Sequence, residues 1–428
     1  MSTTADTQLA LGLFESRSQP ESLGAQLTAF DQFGTATRLL TTCSESFDGQ
    51  PIRVPAYVNE FWTAKQRAAN NLHEISYRAC FKPQLPRFFI ERLTHPGDIV
   101  YDPFMGRGTT LLEAALLGRV PFGCDVNPLS TMLVAPRLNP PSHDSIAARL
   151  REIDFSNHAE PNEELLVFYH PETLKEICAL KRYLIERAQN NQLDAVDDWI
   201  RMVAINRLTG HSTGFFSVYT LPPNQAVSIA SQKKINVDRN QTPPRRKVPD
   251  IILKKSRALQ ADLTDAVRNQ LEAASRRALL LTGPSSQTWQ IPPGSVSLVV
   301  SSPPFLDVVD YATDNWLRCW FAGLDAHSLP ITTPKSLDAW KEAMTAVFKE
   351  LARVLKPGGH VAVEVGEVRG GKIRLEEAVL PCGVAAGLNP ELVLINDQEF
   401  TKTANCWGVD NNRKGTNTNR IVLFQKPV

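Results

Sequence analysis

Two short segments of this 428-residue chain carry residue types suited to binding and catalysis. Residues 102–109 read DPFMGRGT and residues 301–305 read SSPPF. Each segment follows an apolar run typical of a buried strand, 99–101 in the first case and 296–300 in the second. Because ligands bind beyond the carboxyl ends of the strands in open parallel sheets, the two segments are candidates for a single site.

The first segment has the features of a loop that holds a nucleoside cofactor. Gly106 and Gly108 lack side chains, so the backbone can approach a ligand closely. A helix beginning at Thr109 would present unpaired N–H groups and the positive end of its dipole. Asp125, at the end of the next predicted strand, is placed to accept hydrogen bonds from ribose hydroxyls. The spacing is not GxGxxG, and a simple helix-capping turn is the competing interpretation.

The second segment has the features of a loop that holds an amino group attached to an aromatic ring. Such an amine is a poor nucleophile because its lone pair is delocalised, so a catalyst must hold its N–H groups with well-placed acceptors. Ser302 offers a hydroxyl oxygen and Pro303 a carbonyl oxygen, and the adjacent Pro304 restricts the backbone that aims them. Phe305 supplies a face on which an extruded base can stack. The competing interpretation is a Ser-Pro-Pro turn after a buried strand.

The elements that must position these loops follow an α/β pattern. Apolar spacing predicts a helix at 85–93, a strand at 99–101, a helix at 109–117 and a strand at 120–124. This βαβ arrangement predicts a doubly wound, mostly parallel sheet. The other predicted strands are 296–300, 360–365 and 421–425.

Composition divides the chain into four predicted regions. Residues 1–50 are rich in Ser, Thr and Gln, which indicates a weakly ordered N-terminal arm. Residues 51–138 and 285–428 carry the two motifs, and we expect them to form the two halves of a catalytic domain. Residues 139–284 between them are expected to be a largely helical insert.

Bulk composition excludes several classes of protein. The formal net charge of +1 gives no global indication of a nucleic-acid partner. No apolar run reaches the roughly 18 residues that a membrane span requires, and the N-terminus lacks the pattern of a secretory signal. Seven cysteines without a CxxC pair, and eight histidines without HxH or HxxxH spacing, predict a reduced, metal-free, cytoplasmic protein.

The string DPFMGRGTT resembles the FxGxG motif of DNA amino-methyltransferases, which modify cytosine N4 or adenine N6 with S-adenosylmethionine. SSPPF is similar to the catalytic motif of that family, and Phe81-Lys82-Pro83 is similar to its Lys-Pro element ahead of the cofactor loop. The resemblance implies a Rossmann-like methyltransferase fold with cofactor, target-recognition and catalytic regions in that order. The cofactor-binding residues it implies are Lys82, Pro83, Asp102, Phe104, Gly106, Gly108, Thr109 and Asp125.

The resemblance also implies a reaction: methyl transfer from S-adenosylmethionine to a base rotated out of double-stranded DNA at a specific sequence. In the family, Ser at the position of Ser302 favours cytosine N4. Adenine N6, a base amine of RNA, and a catalytically inactive DNA-binding subunit are the alternatives. The expected catalytic residues are Ser302, Pro303, Pro304 and Phe305, and a separate cognate restriction endonuclease is a candidate partner.

A basic segment of the insert is the candidate DNA-binding surface. Between residues 233 and 257 positive side chains far outnumber negative ones. Such a local excess is typical of a surface that contacts phosphates, and a solvated loop is the competing interpretation. The candidate contacts are Lys233, Lys234, Arg245, Arg246 and Lys247.

Overall fold

The computed structural model describes residues 22–62, 69–77, 81–157, 160, 162–220, 227–304, 311–326, 328, 334, 336–368, 373–397 and 418–428. These residues form thirteen α-helices and eleven strands. The helices are α1 (Leu23–Thr28), α2 (Gln84–Leu93), α3 (Thr109–Leu116), α4 (Pro128–Leu138), α5 (His143–Glu152), α6 (Pro171–Gln189), α7 (Ala195–Arg207), α8 (Ile229–Asp238), α9 (Val248–Leu259), α10 (Asp265–Ser275), α11 (Tyr311–Ala322), α12 (Leu337–Val354) and α13 (Leu375–Ala385). The strands are β1 (Arg38–Glu45), β2 (Pro51–Asn59), β3 (Ile99–Asp102), β4 (Val120–Asp125), β5 (Leu279–Thr282), β6 (Val296–Ser301), β7 (Leu355–Val365), β8 (Glu367–Val368), β9 (Ile373–Arg374), β10 (Asn389–Asp397) and β11 (Thr418–Gln425).

Nine of the strands form one mixed sheet in the order β1-β2-β10-β11-β7-β6-β3-β4-β5. The five strands from β7 to β5 all run parallel to their neighbours. Strand β11 lies antiparallel between β10 and β7, and β2 pairs in parallel with β10. The prediction of a doubly wound, mostly parallel sheet is confirmed.

Helices cover both faces of this sheet, because alternate residues of each strand point to opposite faces. On one face, Val299 of β6 belongs to the same buried cluster as Phe348 of α12. On the other face, Leu298 and Val300 belong to a cluster with Phe89 of α2. Every residue of β6 is buried, as expected for a central parallel strand. Among the described helices, none combines the length and the apolar content needed to cross a membrane.

The region between β4 and β5 is largely helical, as predicted, but it ends before residue 284. Helices α5 to α10 contribute to a third buried cluster, in which the indole N–H of Trp199 donates to Ser256 Oγ at 2.9 Å. Leu279–Thr282 then pairs in parallel with β4 and closes one edge of the sheet. The boundary predicted at 284 is therefore corrected to the start of β5. This short strand belongs to the sheet, because it pairs with β4 about 150 residues earlier in the chain.

The prediction of a weakly ordered arm is wrong for residues 22–50, whereas residues 1–21 lie outside the described residues. Residues 23–28 form α1, and β1 pairs antiparallel with β2 along its whole length. Strand β1 is mostly exposed at the edge of the sheet, which accounts for its polar composition. Its order comes from β2, whose alternate side chains Ile52, Val54 and Ala56 are buried.

Candidate active site

The two chemistry-bearing loops lie side by side at the carboxyl ends of adjacent parallel strands. Strands β3 and β6 are paired through Val100 with Leu298 and Tyr101 with Val299. Both loops therefore leave the sheet at the same edge. Side-chain hydrogen bonds also join the two segments beyond the paired part of the strands. The Thr110 hydroxyl donates to the Val300 carbonyl at 3.0 Å, and the Ser301 hydroxyl donates to Asp102 Oδ1 at 2.6 Å.

The glycines of the first loop adopt conformations that other residues rarely take. Gly106 has φ of +46° and Gly108 has φ of +72°, both in the left-handed region. A Cβ on Gly108 would lie 2.4 Å from a methyl group of Val134, so this position also lacks space for a side chain. A Cβ on Gly106 would lie 3.6 Å from the Tyr77 ring. The glycines thus let the loop turn tightly into α3 while the Tyr77 ring covers it.

Two buried carboxyl groups support this loop. Asp125 Oδ2 accepts the Gly106 N–H at 2.9 Å, and its Oδ1 accepts the Asn127 N–H at 2.8 Å. Asp102 accepts the Phe104 N–H at 3.1 Å in addition to the Ser301 hydroxyl. Burial raises the pKa of Asp125, and it raises the pKa of Asp102 to about 7. Each carboxylate oxygen of Asp125 has a second lone pair, so a ribose hydroxyl can still donate to it.

A cavity of about 270 Å³ touches both loops. This volume lies near the lower end of the range for small-molecule sites, which runs from roughly 300 to 1,000 Å³. Phe104, Gly106 and Asp125 line it near the first loop, and Ser302 and Pro304 line it on the second loop. A ligand held by the glycine loop therefore lies next to a ligand held by the Ser-Pro-Pro loop.

The second loop is held by groups on other elements. The Trp340 indole N–H, on α12, donates to the Pro304 carbonyl at 2.9 Å. Glu364, at the end of β7, lies beside Ser302 and accepts a hydrogen bond from Asn419 of β11. Glu364 is buried, and this burial raises its pKa to about 7.

The structure does not bring all the predicted site residues to the cavity. Gly108 and Thr109 lie at the start of α3, below the loop, and Pro303 is buried. Lys82 is exposed and Pro83 is buried at the start of α2, and neither lines the cavity. Phe305 lies outside the described residues. Of the basic candidates, Lys233 and Lys234 are exposed on α8, Arg245 and Lys247 are exposed before α9, and Arg246 is half-buried between them.

Sequence reasoning missed two aromatic residues of the cavity, Tyr77 and Trp340. Both line it, and Trp340 also donates a hydrogen bond to the Ser-Pro-Pro loop. Trp340 sits on the apolar face of an amphipathic helix, where sequence patterns indicate only a core residue. Tyr77 follows a short irregular stretch without a motif. In contrast, Glu364 carried a usable signal, since an acidic residue in a buried strand end rarely lacks a specific partner.

The raised pKa of Glu364 predicts a pH-dependent change in stability. The folded chain holds this proton up to about pH 7, whereas the carboxyl group ordinarily ionises near pH 4.5. Its contribution to stability is thus fully present below pH 4.5 and is lost as the pH rises to 7. Relative to the wild type, Glu364→Gln should gain about 3 kcal/mol of unfolding free energy between pH 4.5 and pH 8, since one pKa unit corresponds to about 1.4 kcal/mol.

Urea unfolding of both proteins at several pH values measures this difference. Taking the difference between variant and wild type removes the contribution of Asp102, which both proteins share. Glu342→Gln, at an exposed position on α12, is the matched control. A constant difference between Glu364→Gln and the wild type over this pH range would show that Glu364 ionises normally.

Comparisons with known proteins found similarity over short parts of the chain. Residues 52–130 match the family described as DNA methylase. The chain is 34% identical over 76 residues to the type II methyltransferase M.MjaII of Methanocaldococcus jannaschii, covering 18% of this chain and 14% of that protein. It is 32% identical over 97 residues to the type II methyltransferase M.MvaI of Kocuria varians, covering 22% and 20%. The chain thus spans a fifth or less of the length of these curated relatives.

The solved structures that resemble this chain superpose on it only poorly. A putative DNA modification methylase from Thermus thermophilus, TTHA0409, is 19% identical, with a TM-score of 0.23, over 34% of this chain and 52% of that one.

The sheet order and the glycine loop define an α/β protein with a cavity at the carboxyl ends of its parallel strands, where this class of fold binds its ligands. Residues 52–130, which contain the glycine loop, are similar to the family described as DNA methylase. The left-handed glycines and the buried carboxylate of Asp125 fit S-adenosylmethionine, because the glycines let the protein backbone approach a ligand closely and the carboxylate offers acceptors to ribose hydroxyls.

Proposed function

We propose that this chain transfers a methyl group from S-adenosylmethionine to the N4 amino group of a cytosine rotated out of double-stranded DNA. The observation that carries the proposal is the shared cavity, which Gly106 and Asp125 line on one side and Ser302 and Pro304 on the other. A methyl donor and an acceptor base need such an arrangement, because group transfer requires the reacting atoms to be held close together.

The cofactor side of the cavity supplies binding and orientation. We propose that Phe104, Gly106 and Gly108 surround the methionine part, with Asp102 beneath them and Thr109 at the helix start. Asp125 would accept the ribose hydroxyls. When bound, S-adenosylmethionine supplies an electrophilic methyl group. Lys82 and Pro83 are proposed at the border of this site on the resemblance alone, because neither lines the cavity.

The catalytic side holds the amino group of the base. The Ser302 hydroxyl lies beside Glu364, and we propose that the lone pairs of Ser302 Oγ accept a substrate N–H. The Pro303 carbonyl is the second acceptor. Two acceptors fixed before the reaction favour the tetrahedral form of the nitrogen, because positive charge develops there during attack. The bond from Trp340 to the Pro304 carbonyl keeps the loop from moving as the base enters.

The proposed identity of the target base depends on Ser302. Cytosine N4 is the proposed target because serine is the residue at this position, and adenine N6 is the second candidate. Phe305 is proposed as the stacking face for the base. The basic surface of Lys233, Lys234, Arg245, Arg246 and Lys247 is proposed to contact DNA phosphates, supported by the exposure of all but Arg246. A separate cognate restriction endonuclease remains a proposed partner.

The modified nucleoside distinguishes these targets. We expect DNA from a methylation-deficient host that expresses the full chain to contain N4-methylcytosine after complete digestion and mass analysis. DNA from the same host carrying an empty vector is the control, and total RNA from both cultures is digested in parallel.

Each other outcome has a defined meaning. N6-methyladenine in the DNA would move the target to adenine and leave the rest of the proposal standing. A methylated base amine in RNA alone would replace the DNA substrate. The absence of any methylated base, together with DNA binding by the purified chain, would indicate an inactive DNA-binding subunit and contradict the proposed function.

A further inference from the structure

Three cationic side chains lie together beside Tyr77, where α7, α9 and α11 meet. Arg207 ends α7, Lys255 lies on α9 and Arg318 lies on α11. Lys255 Nζ is 3.6 Å from Glu74 Oε2, and Glu74 also interacts with Arg207. All three cations are largely removed from solvent, with 8% exposure for Arg207, 8% for Arg318 and 13% for the Lys255 side chain.

Arg207 has the most unusual environment of the three. Its guanidinium lies 4.0 Å from the centroid of the Phe215 ring, and its Nε is buried without a hydrogen-bond partner. No hydrogen bond or ion pair links this guanidinium to any other residue that the structure describes. Stacking on the ring occupies the flat face of the group and leaves its N–H edge for another acceptor. A buried guanidinium without an acceptor is costly, so a ligand is expected there.

The charge balance points to an anionic ligand. Burial lowers the pKa of Arg207 to about 10, and burial together with the nearby Arg207 lowers the pKa of Lys255 to about 8. Glu74 is the carboxylate near both Arg207 and Lys255, but its side chain is 61% exposed and therefore screened by solvent, whereas the buried Asp314 acts on Arg318. An anion bound among these groups would relieve their mutual repulsion.

The cluster borders the active-site cavity on the side of the insert. Asn206 Oδ1, next to Arg207, accepts the Ser76 N–H at 2.8 Å, and Arg318 donates to the Ser76 carbonyl at 3.1 Å. Tyr77 follows directly and lines the cavity, with the Arg318 guanidinium 5.6 Å from its ring centroid. The Tyr77 ring also lies close to Gly106, where an added Cβ would be 3.6 Å from it. Tyr77 is thus near both the cation cluster and the cofactor loop.

We propose that Arg207, Lys255 and Arg318 bind a backbone phosphate of the nucleic-acid strand whose base enters the cavity. The inference rests on the proposed function for the identity of the substrate. A phosphodiester fits because its oxygens accept the paired N–H groups of a planar guanidinium, and because it is the anion that a base substrate necessarily brings to this edge. The carboxylate of the cofactor is the alternative anion.

Arg207→Met and Lys255→Met test the proposal, with Arg276→Met as the matched control. Methionine keeps the apolar contact with Phe215 and removes the charge. Arg276 belongs to the same insert, but its side chain is 73% exposed and paired with Glu272. Three quantities are measured for each full-length protein: the affinity for end-labelled fragments of unmethylated DNA at several salt concentrations, the affinity for S-adenosylmethionine, and the melting temperature with and without inorganic phosphate.

We expect each cluster variant to bind DNA about tenfold more weakly at 0.1 M salt and to lower the log–log salt slope by about one, since one phosphate contact is lost. The affinity for S-adenosylmethionine should not change. Arg207→Met should melt at or above the wild-type temperature, because an uncompensated buried charge is gone. Inorganic phosphate should raise the melting temperature of the wild type and of Arg276→Met more than that of Arg207→Met.

Three results would overturn the inference. If the cluster variants bind DNA as tightly as Arg276→Met, the cluster is not part of the DNA interface. The proposed methyl transfer would still stand in that case. Weaker binding of S-adenosylmethionine alone would assign the cluster to the cofactor carboxylate. A large drop in melting temperature for Arg207→Met would show that Arg207 serves the fold. A wild-type chain that neither binds nor methylates DNA would instead refute the proposed function, and this inference with it.

Discussion

Ser302→Ala is expected to lower kcat for methyl transfer roughly 10²- to 10³-fold, the range seen when one preorganised hydrogen-bonding group is removed from an active site. The substitution deletes the side-chain acceptor for the amine and leaves the Pro303 carbonyl. The Kd for S-adenosylmethionine should stay unchanged, because the cofactor is held by the loop after β3. Single-turnover transfer of a labelled methyl group, together with equilibrium binding of the cofactor, measures the two effects separately.

Ser295→Ala is the matched control for this substitution. Ser295 lies just before β6, at the opposite end of the strand from Ser302, and its hydroxyl donates to the Pro292 carbonyl at 2.7 Å. It should keep the wild-type kcat. Equal loss of cofactor affinity and of turnover in Ser302→Ala would mean that this loop is structural and that the amine is held elsewhere.

Gly108→Ala is expected to have the second-largest effect, a loss of about 2–5 kcal/mol in unfolding free energy together with weaker binding of S-adenosylmethionine. The φ of +72° costs energy for any residue with a Cβ, and the added methyl group would lie 2.4 Å from Val134. Because this glycine starts α3, relief of the overlap must move the loop that carries Gly106. Thermal or urea unfolding and calorimetric titration with S-adenosylmethionine measure the two losses.

Two further variants separate strain from overlap. Gly97→Ala has a similar φ of +88° but no atom within 4 Å of the added Cβ, so it should cost only about 1 kcal/mol and leave cofactor binding intact. In the double variant Gly108→Ala/Val134→Ala, the overlap should be relieved and the stability lost to it regained. The cost of the backbone strain should remain. A Gly108→Ala protein with wild-type stability and cofactor affinity would contradict the structure of this loop.

Local sequence patterns predicted the parts of the fold that depend on near neighbours in the chain. The segment from α2 through β3, α3 and β4 was predicted because each element has its own periodicity and its own turn residues. Strands β1 and β2 escaped prediction, since β2 pairs with β10, more than 330 residues away. Strand β5 escaped for the same reason, because its four residues gain their order from β4.

In the candidate site, too, the residues within local motifs were predicted and those brought in from distant parts of the chain were not. The motifs identified Gly106, Asp125 and Ser302, whose roles follow from residue type and from position at a strand end. Trp340 and Tyr77 could not be identified, because an aromatic residue in a helix or an irregular stretch reveals neither its hydrogen-bond partner nor its cavity. The adjacency of β3 and β6 was a hypothesis from topology rules, and the pairing of Val100 with Leu298 now provides its geometry.

A crystal structure of the chain with S-adenosylhomocysteine tests the central idea most directly, because this demethylated product keeps the ribose, the sulfur and the amino-acid part of the cofactor. We predict that it binds in the cavity next to Asp125 and Gly106, with its sulfur directed towards Ser302 and Pro303. Binding at another edge of the sheet, or with the sulfur turned away from the Ser-Pro-Pro loop, would leave no path for a methyl group to reach an amine held there, and would contradict the account.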